Sequence, residues 1–163
     1  MVSLPVVKRT CGECTVCCTV LAVTELNKGP YEKCAHEGAG CCAIYDQRPN
    51  SCRQLECLYL TDFLEGDERR RPDRLGIMFR HSDEQDVFAN RYYGQSFLVC
   101  NEAWAGAAGA PEAKYFLEKL SKKHTILVKR LTEQALVLGP GATHFARAFE
   151  RFMADQGAAP NAI

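Results

Sequence analysis

CGECTVCC, residues 11–18, places four thiols, Cys11, Cys14, Cys17 and Cys18, within eight positions. Thiols at that density form either a metal site or a knot of disulfides. Two cysteines separated by two residues can turn both sulfurs onto one ion while the intervening amides stabilise the thiolate charge, so the spacing points to metal. The opening MVSLPVVKRT points the same way. Its apolar stretch before Lys8 and Arg9 is short and no small-residue cleavage site follows, so the expected compartment is reducing and cytoplasmic. Further along lie Cys34, Cys41, Cys42, Cys52 and Cys57, so that all but one of the ten cysteines precede residue 58.

Adjacent Cys17 and Cys18 project in different directions in most backbone conformations, so the two do not readily complete one tetrahedral ion with Cys11 and Cys14. Two metals, or one polynuclear cluster, follow. One arrangement joins Cys11, Cys14 and Cys17 with a remote thiol and leaves Cys18 to the later cysteines.

The opening motif, Cys34 and the stretch CAIYDQRPNSCR, residues 42–53, resemble the zinc- or iron-chelating family named for its CxxCxxCC motif. The likeness covers roughly residues 11 to 60. It implies metal chelation and carries the family's ligands onto Cys11, Cys14, Cys17, Cys18, Cys34, Cys42, Cys52 and Cys57, with Cys41 extra. It names a site without naming a reaction.

Zinc and iron–sulfur centres are both compatible with all-thiolate ligation. Cys11, Cys14 and Cys17 repeat the two-residue spacing of ferredoxin-type ligation, although Cys18 stands where that pattern does not place a cysteine. Eight thiols would equally make two closed zinc sites, with no open position for catalysis. Arg48 and Arg53 bracket Pro49 and Cys52; they either offset thiolate charge or pair on the surface with Asp46 or Glu56. Tyr45 reads as a core aromatic, with a hydrogen bond toward the site as the rarer role. His36 lies inside the cluster as an alternative ligand. His81, His124 and His144 have no partner at ligand spacing and default to surface or core histidines. Cys100 closes an apolar run, SFLVC, and reads as a buried free thiol.

At 163 residues, 47% hydrophobic and 25% charged, the chain is long enough to bury a core without cross-links, and no apolar run approaches a membrane span. Lys plus Arg and Asp plus Glu are equal at 20 each. Eight thiolates against two dications would add about four negative charges, so binding to a phosphate backbone is disfavoured.

The expected fold class is α+β: a cysteine-rich, metal-stapled lobe over residues 1–62, packed on a small antiparallel sheet with two or more helices over 63–163, one compact domain overall. EGDERRRPDR, residues 65–74, reads as an exposed, charge-balanced connection. LGIMF (75–79) and DVFANRYY (86–93), flanking the polar HSDEQ, predict a β-hairpin, and SFLVC (96–100) a third strand. A helix is expected from Pro111, with Ala113, Phe116, Leu117 and Leu120 on one face. TILVKRL and ALVLG read as two strands or one helix, since periodicity does not decide, and lean to strands; Phe145, Ala148, Phe149 and Phe152 mark a last helix before a frayed tail.

Phosphate-cradling, dinucleotide, nucleophile-elbow and HExxH motifs are absent, and carboxylate pairs such as Glu112 and Glu118 or Asp83 and Glu84 sit in solvated stretches. Three functions remain. The leading one is a structural metal module that presents a surface to a protein partner. The others are a cluster-dependent redox protein or metalloenzyme, and a metal buffer or metallochaperone.

Overall fold

Strand-forming residues alternate at Ile77, Phe79, Leu98, Cys100, Ile126 and Val128, and this period-two pattern builds the centre of the molecule. A computed structural model describes residues 9–61, 63–64, 68–82 and 89–156. In chain order it contains helices α1 (Val16–Val20), α2 (Asn50–Gln54) and α3 (Pro72–Leu75), strands β1 (Ile77–His81) and β2 (Leu98–Glu102), helix α4 (Pro111–Ser121), strands β3 (Ile126–Lys129) and β4 (Leu136–Leu138), and helix α5 (Ala142–Asp155). The architecture is α+β, as the sequence pattern implies. No helix among the described residues is long and apolar enough to cross a membrane.

The four strands lie in the order β1-β2-β3-β4. β1 pairs antiparallel with β2 and β3 with β4, but β2 and β3 run parallel. The expectation of a purely antiparallel sheet is thus corrected. The reason is α4, which Pro111 starts at its first turn. A helix between two adjacent strands carries the chain back to its starting end, and parallel pairing follows.

The expected hairpin is also corrected. β1 pairs with Leu98–Glu102, and Ala89–Tyr93 forms a single wide helical turn instead of a strand. Side chains of a strand alternate between faces, yet Tyr92 and Tyr93 both pack toward α5. Tyr92 meets Phe152 at 5.3 Å and Tyr93 meets Phe145 at 5.2 Å between ring centres. The turn expected within HSDEQ falls mostly on residues 83–88, and the tail on 157–163, outside the described residues.

Both sheet faces are covered. One packs Ile77, Phe79, Leu98, Cys100, Ile126 and Val128 against Ala113, Phe116 and Leu117 of α4. The other packs Val99 with Tyr93 and Phe97 against Phe145 and Ala148 of α5. Cys100 is a fully buried free thiol, as its place at the end of an apolar run suggested.

The cysteine-rich segment is tied to this sheet at several points. Leu58 is buried in the α4-side core, and its N–H donates to Phe79 O at 2.9 Å. The Arg9 guanidinium donates to the carbonyls of Tyr59, Thr61 and Leu64, and Tyr31 OH donates to Lys129 O at 3.2 Å.

Glu102 stands at the end of β2, 2% exposed, and its carboxyl oxygens accept from Ala108 N at 3.0 Å and Leu131 N at 2.8 Å. One side chain therefore closes the turn before α4 and the turn after β3. Glu102→Ala leaves both amides without that acceptor, and we expect a loss of about 3 kcal/mol in urea unfolding. A loss under about 0.5 kcal/mol would show that the two turns hold without it.

Candidate metal centre

Each turn of the cysteine segment is fastened by polar side chains that occupy backbone or hydroxyl groups. α1 carries Cys17 and Cys18, and Cys34 N donates to Cys18 O at 3.1 Å. Thr15 Oγ1 donates to Glu37 Oε1 at 2.9 Å and Thr19 Oγ1 to Glu37 Oε2 at 3.4 Å, which holds the 34–42 loop against α1. α2 carries Cys52. The Glu25 carboxylate accepts from the Ser51 amide at 3.0 Å and from its hydroxyl, so it caps the first turn of α2. Those bonds hold the Glu25 carboxyl below its ordinary range.

The result is one cavity of about 160 Å³ lined by Cys11, Cys14, Cys17, Cys18, Cys34, Cys41, Cys42, Cys52 and Cys57, together with His36. All eight thiols expected as ligands line it, and so does Cys41. Its remaining wall includes Leu21, Val23, Leu26, Ile44 and Leu55. All ten cysteines are free thiols. Cys34 is buried, Cys41 is exposed, and the other seven of the cavity are half-buried.

Within the cavity Cys57 feels Cys11 and Cys14, Cys52 feels Cys18, Cys34 and Cys42, and Cys11 also feels Cys18, which shares a hydrogen bond with Cys17. That bond, followed by burial, pushes the Cys18 thiol up; burial does the same to Cys11, Cys14 and Cys52, and raises Cys57 to about 11. Backbone amides oppose burial where they meet sulfur. The amide two residues on acts on both Cys14, from Val16, and Cys57, from Tyr59. Amide donors favour the thiolate over the thiol, and this placement prepares those sulfurs to bind a cation.

Three cations flank the cavity. Lys28 is buried, and its ammonium donates to the carbonyls of Thr19 at 3.1 Å, Gly29 at 3.0 Å and Leu21. Burial pulls its pKa down, and the thiols of Cys34, Cys18 and Cys52 act against that shift. Arg48 acts on Cys11 and lies over the Tyr45 ring at 3.7 Å. Arg71 lies on Gly12, whose φ of +53° and lack of a side chain admit the guanidinium; a Cβ there would meet Nη1 at 2.5 Å.

Several residue readings change. Tyr45 is 53% exposed and belongs to no core. Arg53 meets neither thiols nor the carboxylates of Asp46 and Glu56; it donates to Arg48 O at 2.8 Å and Asp46 O at 3.0 Å and so shapes the loop before Cys52. The 68–74 portion of the charged connection is not all solvated, since Arg71 is 8% exposed and makes a two-pronged pair with Asp73 at 2.7 and 2.9 Å. Asp73 in turn contacts Cys14 through its side chain and its amide. Lys28, Arg71 and Asp73 escaped the sequence reading. The only signal was an Arg and an Asp two apart around Pro72, which a charge-balanced loop also produces.

The donor set suits zinc or an iron–sulfur centre in kind, being all sulfur with nearby amides and cations. As they stand, no three His, Cys, Asp or Glu side chains among the described residues gather closely enough to hold an ion. The thiols ring the cavity instead of meeting at a point. Loading would require the thiols to release protons and draw inward. Comparison with protein-family models, with curated proteins and with solved structures finds no match for this chain.

The Arg71 hydrogen bonds hold the Asp73 carboxyl below its ordinary value of 3.8. A depressed folded-state pKa adds stability that is present above the ordinary value and disappears as pH falls through the lowered one. Asp73→Asn removes it at every pH. In thermal melts the variant should trail the parent by about 1 kcal/mol at neutral pH, with the gap closing in acid. A gap that persists unchanged in acid would contradict the ion-pair account.

Proposed function

We propose that this chain is a thiolate metal-binding protein in which zinc or iron cross-links the cysteine segment. The observation that carries the reading is an imbalance between thiols and core. Of the buried hydrophobic side chains among the described residues, only Val20, Val23 and Cys34 precede Leu58, while nine thiols surround one cavity in the same segment. A segment of that length with so little apolar burial needs another source of cohesion, and metal–thiolate bonds supply it. The similarity of residues 11–60 to the CxxCxxCC pattern agrees with this reading.

The adjacency of Cys17 and Cys18, with four thiolates to a closed centre, suggests two centres. Cys18, Cys34, Cys42 and Cys52 would form one, with Lys28 as its cation. Cys11, Cys14, Cys57 and Cys17 would form the other, flanked by Arg48 and Arg71. Eight thiols are used, and exposed Cys41 is left over. Zinc would act as a closed cross-link, and an iron–sulfur cluster would add electron transfer. The leading role is a structural module with a protein partner, in a reducing, cytoplasmic setting.

Metal counting and a visible spectrum on protein purified without oxygen test this directly. The parent should carry about two zinc per chain without colour, or iron with matching sulfide and a brown colour. Cys34→Ser and Cys57→Ser should each remove one centre and spare the other. Protein that folds and carries no stoichiometric metal would overturn the proposal. Loss of all metal in both variants would replace two centres with one polynuclear cluster.

A further inference from the structure

A second cavity, about 580 Å³, opens where β1 ends, β2 and β3 begin, and α5 starts. This end of the sheet is opposite the one at which α3 leads into β1, so the cleft is separate from the Arg71 contact with the thiol turn. The topology gathers four basic residues there from three distant stretches of sequence: His81, Lys123 with His124, and His144. Gln95 and Ser96 add neutral hydrogen-bonding groups, and the described lining contains no Asp or Glu.

The cleft is built from close approaches. Gly139, at φ +100°, comes so near His124 that a Cβ would fall 2.1 Å from its carbonyl oxygen. Gly141 lies against Tyr93 and Thr125, its N–H donating to Thr125 Oγ1 at 3.1 Å, and Tyr93 OH donates to the same hydroxyl at 3.1 Å. Either glycine replaced by a larger residue would part the walls. Aromatic rings hold the imidazoles: Phe63 packs on His81 at 5.5 Å and on His124 at 5.3 Å, and Tyr93 on His144 at 5.0 Å. Positioned donors bind with little ordering cost. The histidines do not gather as metal ligands. Spread around a cavity with a lysine and neutral donors, they suit a ligand that accepts hydrogen bonds in several directions, which is the chemistry of a phosphate group.

We propose that this cleft binds a phosphate group, with Lys123, His81, His124 and His144 as its donors. The volume lies in the range of small-molecule sites, so the phosphate of a small organic ester fits better than the free ion.

Amide chemical shifts of the full chain, as purified, followed during titration with phenyl phosphate, inorganic phosphate or potassium chloride at matched ionic strength, test the site. Saturable shifts at Lys123, His124, Gly141 and His144 are expected with the phosphates and not with chloride. Tighter binding of phenyl phosphate assigns the site to an ester and equal binding to the free ion; either supports a phosphate site. Lys123→Gln with His144→Asn, both exposed positions, should weaken binding at least about tenfold, and His81→Gln gives an independent check. No saturable shift with either phosphate, identical shifts with chloride, or full affinity in the folded variants would overturn the proposal.

Discussion

Leu58 is where the two halves of this molecule meet, and the rest of the structure depends on its burial. Its side chain sits 1% exposed in the α4-side core, and its amide is bonded to β1. One residue earlier, Cys57 is thereby brought to the Cys11–Cys14 turn from the far end of the cysteine segment. The sheet carries α4 and α5 on opposite faces, and Leu58 completes the core on the α4 side. The cysteine segment is joined to that sheet through Tyr31 and Leu58, and to α3 through the Arg71–Asp73 pair.

This division explains why the thiols ring a cavity without closing on it. Polar side chains such as Glu25, Glu37, Lys28 and Arg53 set the backbone by bonding to amides, hydroxyls and carbonyls. They fix where each loop runs but provide little apolar cohesion between loops. Burial pushes several thiols up, amides at Cys14 and Cys57 lean the other way, and cations flank the cavity. A divalent or trivalent ion would turn these opposed tendencies into one, since it stabilises the thiolates that burial penalises.

Much of this was legible in the residues. Strand-forming residues marked β1 and β2, and TILVKRL leaned toward β3; Pro111 marked the start of α4, and Phe145, Ala148, Phe149 and Phe152 marked α5. The eight candidate ligands came from the resemblance of residues 11–60 to the CxxCxxCC pattern, and they do line one cavity. Long-range pairing was not legible. The hairpin reading failed because Tyr92 and Tyr93 are good strand residues whose conformation is decided by Phe145 and Phe152, more than fifty residues away. The parallel β2–β3 pair followed from where α4 packs, which no local pattern encodes. Arg71 was read as solvated because its two partners, Gly12 and Asp73, lie on opposite sides of it in sequence. The gathering of His81, His124 and His144 at one end of the sheet is a product of topology alone.

The central claim is that the cysteine segment would hold a metal through sulfur, and only through sulfur. X-ray absorption at the metal edge, on full-length protein purified without oxygen, reads the nearest neighbours directly. The account predicts a first shell of sulfur at about 2.3 Å with no nitrogen or oxygen component. A shell dominated by nitrogen or oxygen would contradict it and would place the metal outside the thiol-lined cavity.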